Sequence, residues 1–197
     1  MITLPQLKTI MPYARERADI FVAPLNAAAR EFGIDTPQRI GMWLANIAHE
    51  SGSLRYTREI GKGLEYNGRK DLGNTLDDAK RIAGEHGSTP GPWWRGGGLP
   101  QITGYYNYLS CSHDMYDDPN LLLHHPELLE QPLDAARCAG WFWWRAKLNA
   151  PADAGDFDGV CDIWNRGHKT QRIGDAMGYD DRASAWARAQ RVLGVPA

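Results

Sequence analysis

The 197-residue chain is 43% hydrophobic and 23% charged, and it carries a net charge of −2 at pH 7, ordinary values for a globular protein that buries a core. That balance gives no electrostatic argument for nucleic acid as a partner, and no apolar run approaches the ~20 residues that span a bilayer. Three cysteines, Cys111, Cys138 and Cys161, lie too far apart for a zinc motif and are odd in number, which argues against a disulfide framework and fits a reducing compartment.

The opening stretch, "MITLPQLKTIMPYARERAD", lacks a basic start followed by an apolar run and a small-residue cleavage site, so it is not read as a signal peptide. "DIFVAPLNAAAREFG" predicts an Ala-rich helix stopped by Gly33. Thr36-Pro37 then has the form of an N-cap followed by Pro at the first helical position. The helix it opens carries Ile40, Trp43, Leu44 and Ile47 at helical spacing, which predicts one buried face, and Ser51-Gly52-Ser53 is expected to end it. Residues 60–74 and 87–98 are rich in Gly and Pro and read as loops, separated by a short helix in "TLDDAKRIAGEHG" that opens at Thr75 and closes at Gly87. His124-His125 before Pro126 reads as a loop and helix start, with a metal site as the less favoured alternative. "PLDAARCAGWFWWRAKLN" predicts a helix whose four adjacent aromatics, Trp141 to Trp144, point all round the axis and so belong mostly to the core. "DRASAWARAQRVLG" predicts a last helix. Strand signals are weak, and the expected class is mostly α.

Two glutamates stand out in "WLANIAHESGSLRYTREI". Glu50 follows Trp43 by seven residues and Ile47 by three, which places it on the apolar face near the C-terminal end of its helix. Desolvation and the negative end of the helix dipole both favour the neutral acid there, the form that gives up a proton. Glu59 lies nine residues on, near Arg55 and Arg58, which favour the ionised carboxylate. The break at residues 51–53 allows the chain to turn back between them. Two carboxyls pushed toward opposite protonation states form an acid–base pair of the kind glycoside hydrolysis needs. His49-Glu50 lacks the second His three residues on that a zinc peptidase motif requires.

"WWRGGGLPQITGYYNY", residues 93–108, adds Gln101, Thr103 and Asn107 between tyrosines, a polar and aromatic strip suited to sugar hydroxyls and C–H faces. The alternative is a Gly-rich turn before a core helix. Trp93 and Trp94, in a Gly/Pro loop, are the candidates for an exposed sugar-stacking site.

Together with "GRKDLGNT" and "IWNRG…DDRASAWARAQRVLG", these segments resemble glycoside hydrolase family 19, which holds plant-type chitinases and lysozyme-like endolysins of bacteriophages. The short step from Glu50 to Glu59 resembles the phage branch. The resemblance implies a mostly α, lysozyme-like two-lobed fold with a catalytic cleft. Residues 1–197 would form one catalytic domain with a large and a small helical lobe and no separate wall-binding module. It implies inverting hydrolysis of a β-1,4 aminosugar link without metal or other cofactor, Glu50 matching the general acid and Glu59 the general base. Thr103 matches the residue that helps hold the water. Gln101, Tyr106 and Asn107 match substrate-contacting positions. Asn165 matches the Asn of an Asn-Gly-Gly segment, and Arg182 a late Arg that supports the acidic site. Three positions depart from the family pattern: Gly97 stands where an Arg is usual, Pro100 where Ile is common, and Arg166 replaces the first Gly of Asn-Gly-Gly. The expected partner is the glycan strand of peptidoglycan, acted on by a monomer that leaves the host cytoplasm by a holin-type route. Chitinase activity, or glycan binding with impaired turnover at Gly97, are the alternatives.

Overall fold

The structure, a computed structural model, describes residues 1–196. They form eleven α-helices: α1 (Leu4–Ile10), α2 (Arg17–Glu31), α3 (Pro37–Glu50), α4 (Asp77–Glu85), α5 (Pro90–Trp93), α6 (Tyr105–Tyr116), α7 (Leu121–His124), α8 (Pro132–Arg145), α9 (Asn149–Asp153), α10 (Phe157–Arg166) and α11 (Tyr179–Leu193). Among these residues the only β pairing outside helices consists of isolated antiparallel bridges, Arg58 to Gly97 and Gly97 to Ile102. The chain is mostly α, as its sequence predicts. No described helix is long and apolar enough to cross a membrane.

Two compact units divide the chain. The first comprises residues 1–55 and, within the described chain, 139–196. Its centre is α3, which starts where the Thr36 side chain accepts a hydrogen bond from Arg39 N (3.2 Å), with Pro37 opening the first turn. The amphipathic reading underestimated this helix: every residue from Ile40 to Ala48 is buried, so α3 is enclosed all round and not along one face. Helix α11 packs along it, and Gly41 makes this possible, because a Cβ there would lie 2.5 Å from the Trp186 ring. Trp43, 1% exposed, donates from its indole N–H to Ala139 O (3.1 Å). Truncating such a side chain to alanine costs about 3–5 kcal/mol. Helix α1, absent from the sequence reading, carries a capping box in which Thr3 and Gln6 exchange hydrogen bonds.

Arg39 ties α3 to α9 through a two-pronged pair with Asp153, at 2.7 and 2.6 Å. The Arg39 hydrogen bond holds the Asp153 carboxyl below its usual 3.8, outweighing desolvation, which acts the other way. A carboxyl depressed in the folded state stabilises at pH values above its unfolded value, and the contribution disappears as pH falls through the lower folded one. Asp153→Asn is therefore expected to melt below the wild type at pH 7, with the two melting temperatures converging as the pH falls through the lowered folded value. A constant gap across that range would remove the pair from the stability of this unit.

The second unit, residues 56–138, holds α4 to α7 and the start of α8. The Gly/Pro stretches run as loops, as expected, but each contains a short turn of helix, at Leu64–Tyr66 and at α5. Helix α4 begins two residues later than predicted: Thr75 does not cap it, and Asp77 and Asp78 occupy its first turn. All three cysteines are free and buried. Cys111 and Cys138 lie 3.9 Å apart, with Met115 Sδ 3.3 Å from Cys111. Burial pushes the Cys161 thiol up to about 12 and raises Cys111 well above the ordinary thiol range. Of the aromatic wall, Trp141 and Trp143 are buried and Trp144 is exposed.

Candidate active site

In the first unit, α3 ends at Glu50. Ser51 stops it by turning its hydroxyl onto Ile47 O (2.6 Å) and accepting Leu54 N–H (2.8 Å). Gly52, Ser53 and Leu54 then take φ values of 56°, 60° and 66°. Two of these are not glycine, and left-handed backbone of that kind persists only where surrounding structure holds it. The Glu50 side chain, 21% exposed, receives Nη2 of the fully buried Arg182. Arg182 also donates from Nη1 to Asn46 Oδ1 (2.7 Å) and from Nε to Met177 O (3.0 Å). Asn46 is itself fixed by donating to Met42 O (2.9 Å). Asn165 stands behind this set: its Oδ1 accepts Met177 N–H (3.0 Å). The late arginine therefore supports the residue matched to the acid, and Asn165 holds the backbone that holds the arginine.

In the second unit, the Glu59 carboxylate has two donors: the Gly96 N–H reaches Oε2 at 3.0 Å and the Tyr66 hydroxyl reaches Oε1 at 3.1 Å. Burial, followed by the neighbouring Glu59 charge, raises Tyr66, so its phenol stays a donor. The backbone of Glu59 is fixed as well, its N–H donating to Gly96 O (2.8 Å) and its carbonyl accepting from Arg95 Nε (3.3 Å). Arg58, expected to favour the Glu59 charge, instead pairs with Glu130 at 2.6 Å. The adjacent backbone carries it away: Arg58 bridges to Gly97, and neighbouring side chains along extended backbone face opposite ways.

The polar strip follows directly. Gln101 has φ 59° and donates from its amide to Gly98 O (2.8 Å), while its Oε1 occupies the space beside Gly96, 2.8 Å from where a Cβ would be. Thr103 donates to Gln101 O (3.1 Å), and Asn107 to Thr103 O (2.7 Å). Tyr106, 44% exposed, rests its ring on Gly73, where a Cβ would come within 2.9 Å. The "GRKDLGNT" segment thus forms the seat for the start of α6, with Leu72 O accepting Tyr106 N–H (3.1 Å) and Asn74 Oδ1 accepting Tyr105 N–H (2.9 Å).

Trp94 does not fit the sugar-stacking reading. It is 0% exposed and packs edge-on against Tyr105, with ring centroids 5.2 Å apart, because its carbonyl accepts Gly104 N–H and draws it under the strip. Trp93 is half-buried and one face is stacked on His86 at 4.3 Å. The exposed ring of the strip is Tyr106. No cluster of three or more His, Cys, Asp or Glu able to hold a metal occurs among the described residues.

Gly97 has a steric cause. Its N–H and carbonyl both pair with Ile102 (2.9 and 3.0 Å), and the Tyr108 hydroxyl would lie 2.1 Å from a Cβ at this position. Tyr108 is 1% exposed and cannot step aside cheaply. Gly97→Arg, which restores the family residue, is expected to destabilise the protein by about 1–3 kcal/mol or more through overpacking. Denaturant unfolding checks this; a variant as stable as the wild type and more active would show that the position is open.

No protein-family profile matches the chain. It is 30% identical over 125 residues to an endochitinase of Arabidopsis thaliana, covering 59% of this chain and 37% of that protein. A second Arabidopsis thaliana endochitinase is 29% identical over 127 residues, 62% of this chain and 38% of the relative. The matched relatives are thus much longer than the matched region. Among solved structures, chitinase C from Streptomyces griseus superposes with a TM-score of 0.67 at 20% identity, covering 98% of this chain and 76% of that one. A bacterial family 19 chitinase gives 0.69 at 19%, covering 99% and 96%. The family 19, class IV chitinase from Zea mays gives 0.62 at 20%, covering 88% and 79%. The chain carries the fold of the family 19 chitinases.

Proposed function

We propose that this protein is a glycoside hydrolase of the phage endolysin type, cutting the β-1,4 bond between N-acetylmuramic acid and N-acetylglucosamine in peptidoglycan by a single inverting displacement. Glu50 gives its proton to the leaving glycosidic oxygen. Glu59 takes a proton from a water that attacks the anomeric carbon from the opposite face. Thr103 assists in holding that water, and Gln101, Tyr106 and Asn107 meet the sugar. The observation that carries the chemistry is the care taken over the two carboxyls: Arg182 orients Glu50, and Gly96 N–H with Tyr66 orients Glu59. An inverting route calls for carboxyls ~6.5–9.5 Å apart in the working enzyme. The short step between the glutamates supports the peptidoglycan substrate. In this reading the protein works as a monomer in one catalytic domain and reaches the wall from the host cytoplasm.

A second reading, chitinase activity on β-1,4 N-acetylglucosamine polymers, is favoured by the relatives and structural neighbours, which are named chitinases. One experiment separates them. Purified peptidoglycan and chitin are each incubated with the protein, new reducing ends are reduced with borohydride, and products are identified by mass spectrometry. Reduced muramic acid supports the first reading. Products from chitin alone support the second. Reduced glucosamine from peptidoglycan places the cut at the other glycosidic bond. Sedimentation with either polymer without new ends would overturn both and leave glycan binding.

A further inference from the structure

The peptide unit joining Arg95 to Gly96 is hydrogen-bonded at both ends. Its N–H donates to Glu59 Oε2 at 3.0 Å, and its carbonyl accepts the Tyr108 hydroxyl at 2.9 Å. A donor on a carbonyl polarises the amide and strengthens the bond made by its N–H, so the two contacts reinforce one another. We propose that Tyr108 is a positioning residue for Glu59, acting through this one peptide group. The proposal rests on the reading of Glu59 as the base.

Four observations carry it. Tyr108 is 1% exposed, so it cannot itself meet a glycan, and its effect must pass through protein. Its hydroxyl lies over Gly97, where any Cβ would collide at 2.1 Å, so the glycine leaves the space that lets the phenol reach Arg95 O. The segment it braces is otherwise pinned from the other side: Gly96 O accepts Glu59 N–H, and Gly98 N–H donates to Thr57 O (3.0 Å). Tyr108 thus fixes the height of the strip on which the Glu59 carboxylate rests. Burial also holds the phenol well above its ordinary range, which keeps its proton available as the donor throughout the working pH range. The glycine that replaces the usual arginine is then part of a different support for the same carboxylate, and not a defect.

The test uses Tyr108→Phe in the full chain, assayed on soluble peptidoglycan fragments or chitin oligomers, whichever the product analysis selects, beside Glu59→Gln. Tyr108→Phe is expected to lower kcat about fivefold to tenfold with KM unchanged, and to move the acidic limb of the kcat/KM profile to higher pH, because the carboxylate loses support for its charged form. The double variant Tyr108→Phe with Gly97→Ala places a methyl where the hydroxyl was; it should keep the same kinetic defect, which separates loss of the donor from loss of packing, and it serves as the assay protein if the single variant folds poorly. Wild-type kcat and pH profile in Tyr108→Phe, with Glu59→Gln inactive, would overturn the positioning role and leave Glu59 as base. A raised KM with an unmoved acidic limb would also overturn it, since packing alone would then explain the change. Retained turnover in Glu59→Gln would overturn the base assignment and this proposal with it.

Discussion

Glu50→Gln is expected to lower turnover by about 10²–10⁴-fold, the range for losing a general acid. The amide keeps the shape of the side chain and can still accept a hydrogen bond from Arg182, so in the proposed mechanism the cleaved bond loses its proton donor while the surrounding arrangement persists. The same change replaces a carboxyl oxygen that faces a fully buried guanidinium. A loss of stability on the order of 1–3 kcal/mol should accompany it, and activity must be compared well below both melting temperatures. Turnover near the wild-type level in a folded Glu50→Gln protein would take Glu50 out of the acid role and leave the Arg182 pair as a structural one.

The second large effect is on stability. Arg182→Met should cost about 3–5 kcal/mol, because it strips donors from Glu50, Asn46 Oδ1 and Met177 O at once inside the protein. Activity should fall with it, since the carboxyl of Glu50 is then unheld. Arg182→Lys keeps the charge but not the planar fork, so it should reach one acceptor and fall between the two. Denaturant unfolding of the three proteins gives the order. A methionine variant as stable as the wild type would mean that the buried fork is neutral in the balance of desolvation against attraction.

Much of this was legible in residue order. Thr36-Pro37 named the start of α3, and Ser51-Gly52-Ser53 its end, because capping and glycine chemistry act locally. Thr75 misled because Asp77 and Asp78 favour the N-terminal turn just beyond it. Helix α1 had a readable signal in Thr3 and Gln6. The carboxyls were visible, but spacing alone gave neither partner: Tyr66 lies seven residues from Glu59 across loop backbone, and Arg182, 132 positions from Glu50, came only through the family resemblance. Asn46 was the one hint, a polar side chain within an apolar helix, four residues before Glu50, which needs a buried partner. Arg58 and Trp94 show the reverse problem. Proximity along the chain suggested a charge neighbour and an exposed ring, and pairing of the backbone sent one to Glu130 and the other into the interior.

The three thiols give the experimenter a set of internal reporters. Each is buried, so a thiol reagent in neutral buffer reacts only when the surrounding structure opens, and the labelling rate measures that opening. Cys161 belongs to the unit that carries Glu50, while Cys111 and Cys138 belong to the unit that carries Glu59. Mass spectrometry of which cysteine is labelled first, along a series of denaturant concentrations, would rank the resilience of the two halves without adding a single probe.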